Sequence, residues 1–336
     1  MTNDEDEIWM SQALALGQEV RATTSPNPWV GAVIVPAGDE PAAEGATRPP
    51  GGPHAEAVAL DLAGETARGA TLYVTLEPCA HHGRTPPCAD ALIAAGLRRV
   101  VVGVLDPDPN VSGRGVERLR EAGVQVEVGV LAGEVETSLA PYLAQRRTGR
   151  PWVVLKLAAT LDGRIAAPDG TSRWITGPEA RADAHRLRAE SDAVLVGAGT
   201  VRADDPALTV RDASGKDPLR VVLGEIPSGS RVEPALVHTG EPEDLLYDLG
   251  KRGVVQLLVE GGARVAWLFH QRALVDQYVI YYAPALLGGD DGVPLFRGPG
   301  VPTMAGAWRG RIAGVRQIGP DVRIDVLAGG TGGAVP

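Results

Sequence analysis

The chain has 336 residues with 32 Lys and Arg against 42 Asp and Glu, a net charge of −10, and at about 100–200 residues per domain this length implies about two domains. The acidic balance argues against a large phosphate-backbone footprint, which needs clustered Lys and Arg, and 44% hydrophobic with 22% charged residues excludes a disordered chain. No run approaches the roughly 18–20 apolar residues of a membrane helix, so neither nucleic acid nor membrane is expected as a partner.

The first seven residues, Met-Thr-Asn-Asp-Glu-Asp-Glu, lack the basic and apolar regions of a signal peptide, from which a cytoplasmic protein is expected. A helix is predicted over about 7–21. Val-rich runs at 29–35, 71–76, 99–105 and 124–130 then alternate with helical patterns near 54–66, 88–95 and 114–122. Strand alternating with helix is the pattern of a mostly parallel sheet with helices on its faces. The polar segment Arg146-Arg147-Thr148-Gly149-Arg150-Pro151 precedes a new apolar run at 152–157, which sets a domain boundary near 148. The same alternation restarts, with runs at 193–197, 219–223, 255–259 and 275–282 and helices near 178–190, 243–252 and 262–272. Two α/β domains are therefore predicted, over 1–147 and 148–336, with a Gly-rich tail from about 329 expected to be disordered.

Cys79 and Cys88 are the only cysteines, too few for a disulfide framework, and in a reducing compartment such a pair reads as metal-binding or catalytic. Pro53-His54-Ala55-Glu56 opens a helical pattern; Glu77-Pro78-Cys79 follows a strand-like run; Cys88 starts the next helix. One imidazole and two thiolates form a common catalytic zinc set, with one zinc per chain and a fourth position left for a water whose pKa falls to about 7. Deamination also needs a group to carry the water proton to the ring nitrogen and the leaving amine, and Glu56 is the candidate. At i+2 from a helical His it lies about 200° round an ideal helix, so it reaches the site only by sitting in the first turn. The set resembles the zinc-dependent cytidine and nucleotide deaminases. Here eight residues instead of two separate the cysteines, and that loop carries His81, His82, Arg84 and two prolines, which suggests a phosphorylated substrate. The bland alternatives are two buried apolar cysteines and solvated loop side chains.

Asn27-Pro28-Trp29-Val30-Gly31, His54-Ala55-Glu56 and the stretch from Thr75-Leu76-Glu77-Pro78-Cys79 to Cys88 resemble the deaminase half of the bifunctional riboflavin-biosynthesis deaminase/reductases. Independently, the stretch Lys156 to Arg164, Trp174-Ile-Thr-Gly177, the stretch Gly199 to Arg211, and Glu260-Gly-Gly262 resemble the family's reductase half, so that the likeness runs from about residue 7 to 328. The resemblance implies a cytidine-deaminase-like three-layer zinc domain followed by a dihydrofolate-reductase-like domain. It implies deamination of 2,5-diamino-6-(5-phosphoribosylamino)pyrimidin-4-one, then NADPH-dependent reduction of the ribosyl chain to 5-amino-6-(5-phosphoribitylamino)uracil. Carried over by motif, His54, Cys79 and Cys88 bind zinc, Glu56 shuttles protons, and Asn27, His81 and Arg84 hold the pyrimidine or its phosphate. In the second half Ala158, Trp174, Thr200, Asp204 and the stretch Gly262, Ala263, Arg264, Val265, Ala266, Trp267, Leu268 contact NADPH. Lys156, Ser172, Arg188, Leu208, Arg211 and Glu260 surround the substrate. Self-association through the reductase half is likewise implied.

Elementary chemistry agrees with part of this. Arg188 and Arg211 suit a ribose phosphate, and Glu260-Gly-Gly before a helix offers backbone amides to a phosphate. Gly197-Ala-Gly199 also follows a strand, yet position 202 is Arg, and the chain has no Rossmann fingerprint. Two departures from the family pattern stand out. Thr47 occupies the place of an expected histidine, and Glu225 follows the Val221–Leu223 run where an Asp is common. Three other functions remain as expectations to test: a reductase with an impaired deaminase half, a nucleic-acid base deaminase, and a metal-stabilised binding module closed by His81 or His82.

Overall fold

The computed structural model describes residues 3–36, 43–80, 87–109, 111–211 and 213–329. The chain folds as two compact units, Met1–Gly149 and Arg150–Pro336. The expected disorder of the C-terminal tail falls on residues 330–336, outside the described residues.

The first unit runs α1 (Asn3–Thr24), β1 (Gly31–Val35), β2 (Ala43–Ala46), α2 (Ala55–Ala63), β3 (Thr71–Leu76), α3 (Cys88–Ala94), β4 (Arg99–Val104), α4 (Arg114–Glu121), β5 (Gln125–Val128) and α5 (Ala132–Thr148). Its sheet has the order β2-β1-β3-β4-β5, with β1 antiparallel to both neighbours and β3, β4 and β5 parallel. The central strands Gly-Ala-Val-Ile-Val and Thr-Leu-Tyr-Val-Thr-Leu are buried throughout, because helices cover both faces. Two glycines show this. A Cβ on Gly31 would lie 1.8 Å from the Ala13 carbonyl oxygen of α1, and one on Gly45 would lie 2.2 Å from the Ala55 carbonyl oxygen of α2. Gly45 pairs with Ala32, the neighbour of Gly31, so α1 and α2 sit on opposite faces. At the far end of α1, buried Asp6 accepts both Nη1 and Nη2 of Arg99 at 2.7 Å and the Tyr73 hydroxyl at 2.8 Å, which ties the helix to β3 and β4. Strand β2, Ala-Glu-Gly-Ala, carries no apolar alternation and was not foreseen.

The second unit runs β6 (Trp152–Thr160), β7 (Arg164–Ala166), α6 (Pro178–Ala189), β8 (Ala193–Gly197), α7 (Ala198–Asp204), β9 (Leu219–Leu223), β10 (Leu236–His238), α8 (Pro242–Lys251), β11 (Gln256–Val259), α9 (Ala263–Gln271), β12 (Gln277–Ala283), β13 (Val293–Pro294), β14 (Gly310–Ile318) and β15 (Asp321–Ala328). Eight strands form one sheet, β10-β9-β8-β11-β6-β12-β15-β14, parallel as far as β12 and antiparallel beyond it. On one face Leu155, Leu195 and Leu257 pack with Leu245, Leu249, Ala266 and Phe269 of α8 and α9. On the other, Val154, Val194, Leu258 and Tyr281 pack with Ala180 and Leu187 of α6 and with Ala198 and Val201 of α7. The β14–β15 hairpin, with Gly319 at φ 57° in its two-residue turn, was not foreseen. Its Arg323 donates to Asp183 of α6 at 2.7 Å and pairs with Asp325, while the Tyr281 hydroxyl donates to the same Asp183 oxygen at 2.6 Å. This buried network fastens the antiparallel strands to the parallel sheet.

Candidate functional site

In the first unit the functional side chains gather where β3 and β4 finish and β1 begins. His54 is the N-cap of α2, with extended backbone at φ −72° and ψ 165°, and is not a helical residue. That corrects the helical spacing argument: outside the helix its ring is free of the 100° step, while Glu56 sits in the first turn as expected. Cys79 lies three residues past the end of β3, and Cys88 is the first residue of α3. His54 Nδ1 is 3.3 Å from Cys88 Sγ and 3.7 Å from Cys79 Sγ, and the three donor atoms all lie within 4.8 Å of one another. A tetrahedral zinc with Zn–S of about 2.3 Å and Zn–N of about 2.0–2.1 Å separates N from S by about 3.6 Å. The donor set therefore fits zinc both in chemistry and in spacing.

The Cys88 thiol and backbone N–H, the latter 3.3 Å from Cys79 Sγ, together with His54 bring the Cys79 thiol down to about 4, so it is the readier thiolate. The same hydrogen bond, with burial, pushes Cys88 upward. Cys79 in turn raises His54. Glu56 is 3% exposed, and burial raises its carboxyl above the ordinary glutamate value against a smaller opposing pull from His54. A buried, upward-shifted carboxyl next to a metal set is suited to exchanging protons near neutrality.

Asn27 lies in the turn leading into β1, and Gly31 donates to Thr75 Oγ1 at 3.2 Å, which places Asn27 at the same sheet end as Cys79. Thr47 is also at this end, 3% exposed, but its Oγ1 accepts the Val30 N–H at 3.1 Å. It extends the β1–β2 ladder. His81, His82 and Arg84 lie outside the described residues.

In the second unit one cluster forms between the middle of β6 and the end of β11. Val259 pairs with Leu155, which sets Glu260 beside Lys156. Arg188 of α6 donates to Glu260 Oε2 at 2.7 Å and to the Thr209 carbonyl oxygen at 2.7 Å. Burial would raise the Glu260 carboxyl, but Arg188 and Lys156 outweigh it and hold the group below its ordinary value. Glu260 Oε1 and Arg188 Nε are buried with no hydrogen-bond partner among the described residues. Leu208 brings its backbone next to this cluster in the left-handed region, φ 53°, with its side chain in the core. Arg211 is exposed.

A second group surrounds α7 and the start of α9. Thr200 lies on α7 and faces Gly262, the N-cap of α9, which no side chain caps. Asp204 ends α7 and accepts from Arg173 at 3.4 Å, which brings half-buried Ser172 and exposed Trp174 alongside. Ala158, half-buried, sits on β6 opposite Tyr281. Free N–H groups at a helix start suit a cofactor phosphate. The expected cofactor stretch 262–268 divides, however. Ala266 is wholly buried in the core, and half-buried Trp267 lies 5.5 Å from the His270 ring. In the first turn of α9 Arg264 is exposed, Gly262 and Val265 are half-buried and Ala263 is buried; Leu268 is half-buried. His185, one turn before Arg188 on α6, places its Nδ1 3.5 Å from Arg188 Nη1.

Comparison with known proteins gives a consistent result. Residues 151–324 match the family described as RibD C-terminal domain, and residues 3–104 match the cytidine and deoxycytidylate deaminase zinc-binding region. The riboflavin biosynthesis protein RibD of Escherichia coli is 43% identical, over 96% of this chain and 99% of its own length. That of Mycobacterium tuberculosis is 44% identical, over 95% and 96%. Among solved structures, Acinetobacter baumannii RibD superposes with a TM-score of 0.89 at 39% identity, and a Thermotoga maritima diaminohydroxyphosphoribosylaminopyrimidine deaminase/5-amino-6-(5-phosphoribosylamino)uracil reductase with 0.89 at 36%. Each covers 97% of this chain and 99% of its own.

Proposed function

Since the chain belongs to the RibD family of riboflavin-biosynthesis enzymes, we propose that residues 1–147 are its zinc-dependent pyrimidine deaminase domain and residues 148–336 its NADPH-dependent reductase domain. The protein is a bifunctional deaminase and reductase of riboflavin biosynthesis that uses zinc and NADPH on a small-molecule substrate. The proposed substrate is 2,5-diamino-6-(5-phosphoribosylamino)pyrimidin-4-one, and the proposed final product is 5-amino-6-(5-phosphoribitylamino)uracil. The observation that carries this reading is the convergence of His54, Cys79 and Cys88 beside buried Glu56 at one sheet end.

In the deaminase domain His54, Cys79 and Cys88 hold the metal, which when bound supplies a water that is nucleophilic at neutral pH. Glu56 takes the first proton of the attacking water at its carboxylate and gives it to the ring nitrogen, then takes the second proton at the same carboxylate and gives it to the departing amine. Asn27, His81 and Arg84 orient the pyrimidine and its phosphate. The Thr47 hydroxyl is engaged by Val30, so it adds nothing to that hold.

In the reductase domain NADPH supplies the hydride, and the protein binds, orients and keeps water away. The first turn of α9, Thr200 and the 172–174 segment with Asp204 cradle the cofactor, flanked by Ala158. Arg188, Lys156 and Arg211 hold the substrate's anionic end, Ser172 and the Leu208 backbone line it, and the unpartnered Glu260 Oε1 accepts from a sugar hydroxyl. Self-association through this domain is supported by edge strand β14, whose Ile312 and Val315 are exposed. No described helix is long and apolar enough to cross a membrane, and cytoplasmic residence would keep both thiols reduced.

Metal analysis tests the ligand set. Wild-type protein and Glu56→Gln are expected to carry one zinc per chain, and His54→Ala or Cys79→Ser to carry far less. Full zinc in the ligand variants would overturn the assignment.

A further inference from the structure

We propose that Glu77 is the positioning residue of the zinc centre, holding Cys79 in place from behind through the start of α4. This rests on the reading of Cys79 as a ligand. Glu77 follows β3 and precedes Pro78-Cys79, is 4% exposed, and continues the strand pairing by donating its N–H to the Val104 carbonyl oxygen at 3.0 Å. Its carboxylate accepts four backbone N–H groups. Oε2 takes Asp106 at 3.2 Å and Gly113 at 2.9 Å, and Oε1 takes Gly115 at 2.9 Å and Val116 at 3.3 Å.

Three of these donors belong to the cap and first turn of α4, whose amides have no partner within the helix and whose positive end favours an anion. The fourth belongs to the loop after β4. Glu77 thus draws two separate segments onto the backbone just ahead of Cys79. The contact is close: a Cβ on Gly115 would fall 1.9 Å from the Pro78 carbonyl oxygen, so the first turn of α4 rests directly on the ligand-bearing loop. From the other side, Cys88 donates its backbone N–H to Cys79 Sγ at 3.3 Å and Ala89 donates to the Cys79 carbonyl oxygen at 3.1 Å. Cys79 is therefore clamped between the starts of two helices, and Glu77 is the bolt on the α4 side. Groups behind a ligand commonly set metal affinity by about 10–100-fold.

The test uses the full-length chain with Glu77→Gln, in which the amide accepts at one end only and turns an NH2 group toward two N–H donors. Zinc affinity is measured by competition with a chromophoric chelator, and thiolate coordination by the absorption spectrum of the cobalt(II)-loaded protein. Tyr142→Phe is the control, because the Tyr142 hydroxyl donates to Asp106 at 3.0 Å and steadies the same loop from α5. The expected result is zinc binding at least tenfold weaker and an altered cobalt spectrum in Glu77→Gln, with both properties retained in Tyr142→Phe. A Glu77→Gln protein that melts lower but binds zinc within threefold of wild type, with an unchanged cobalt spectrum, overturns the proposal and leaves the ligand set standing. Wild-type protein that binds no zinc overturns both. If Glu77→Gln fails to fold, Gly115→Ala decides, since it keeps the carboxylate and crowds Pro78: weakened zinc binding supports the clamp, and unchanged binding overturns it.

Discussion

Replacing Glu56 by Gln keeps the length of the side chain and one carbonyl acceptor but removes the ability to take and return a proton. Glu56 is 3% exposed, and its main opposing charge is His54, itself placed to be a metal ligand, so no neighbouring described group stands ready to substitute. A positioned acid or base contributes about 10²–10⁴-fold. Glu56 is assigned both roles in one turnover, which places the expected loss in the upper part of that range, about 10³–10⁴-fold, or about 4–5.5 kcal/mol of barrier. The carboxyl is not assigned as a ligand, so zinc stays at one per chain. The assay is ammonia release by zinc-replete variant, with NADPH-dependent reduction of separately supplied deaminated substrate as the internal control. Deamination within about tenfold of wild type, with zinc present, would refute the assignment of Glu56 as proton shuttle.

Other consequences follow from individual contacts. Asp6 has its carboxyl held below the usual range by Arg99, so it contributes stability above pH 3.8 that is lost as the pH falls through its lowered folded value. Thermal melts from pH 7 to pH 2 should show that loss in wild type and a flatter profile in Asp6→Asn. At pH 7 Asp6→Ala should cost about 3 kcal/mol, the low end for a broken buried pair, because Arg99 retains Glu127. Thr47→Val strands the Val30 N–H and should lower stability by about 1–2 kcal/mol in denaturant titration while leaving zinc content unchanged. Glu260→Gln should reduce reductase kcat/KM and leave deamination untouched; equal loss of both activities would argue for a general folding defect.

The strands and the zinc set were legible because their chemistry is written locally. Val-rich runs buried on both faces announce β3, β4 and β8, and His-x-Glu with one cysteine after a strand and another at a helix start needs no knowledge of tertiary contacts. What escaped notice depends on partners distant in sequence. Glu77 reads as part of a motif beside a cysteine, and only the fold brings residues 106 and 113–116 to its two oxygens. Strand β2 has no hydrophobic pattern, since it is formed by pairing with β1. The NADPH stretch was carried over whole from the resemblance, whereas helix periodicity buries Ala263, Ala266 and Phe269 and leaves Arg264 exposed. Thr47 stands where the family pattern has a histidine, and only the fold shows that its hydroxyl accepts the Val30 N–H.

The most direct test of a two-step enzyme is mass spectrometry of the diaminopyrimidine ribotide after incubation with zinc-replete protein, once without and once with NADPH. The expected products are the deaminated ribosyl compound in the first reaction and the deaminated, reduced ribityl compound in the second. An unchanged ribotide in the first, with reduction only of separately supplied deaminated substrate in the second, would contradict a working zinc half.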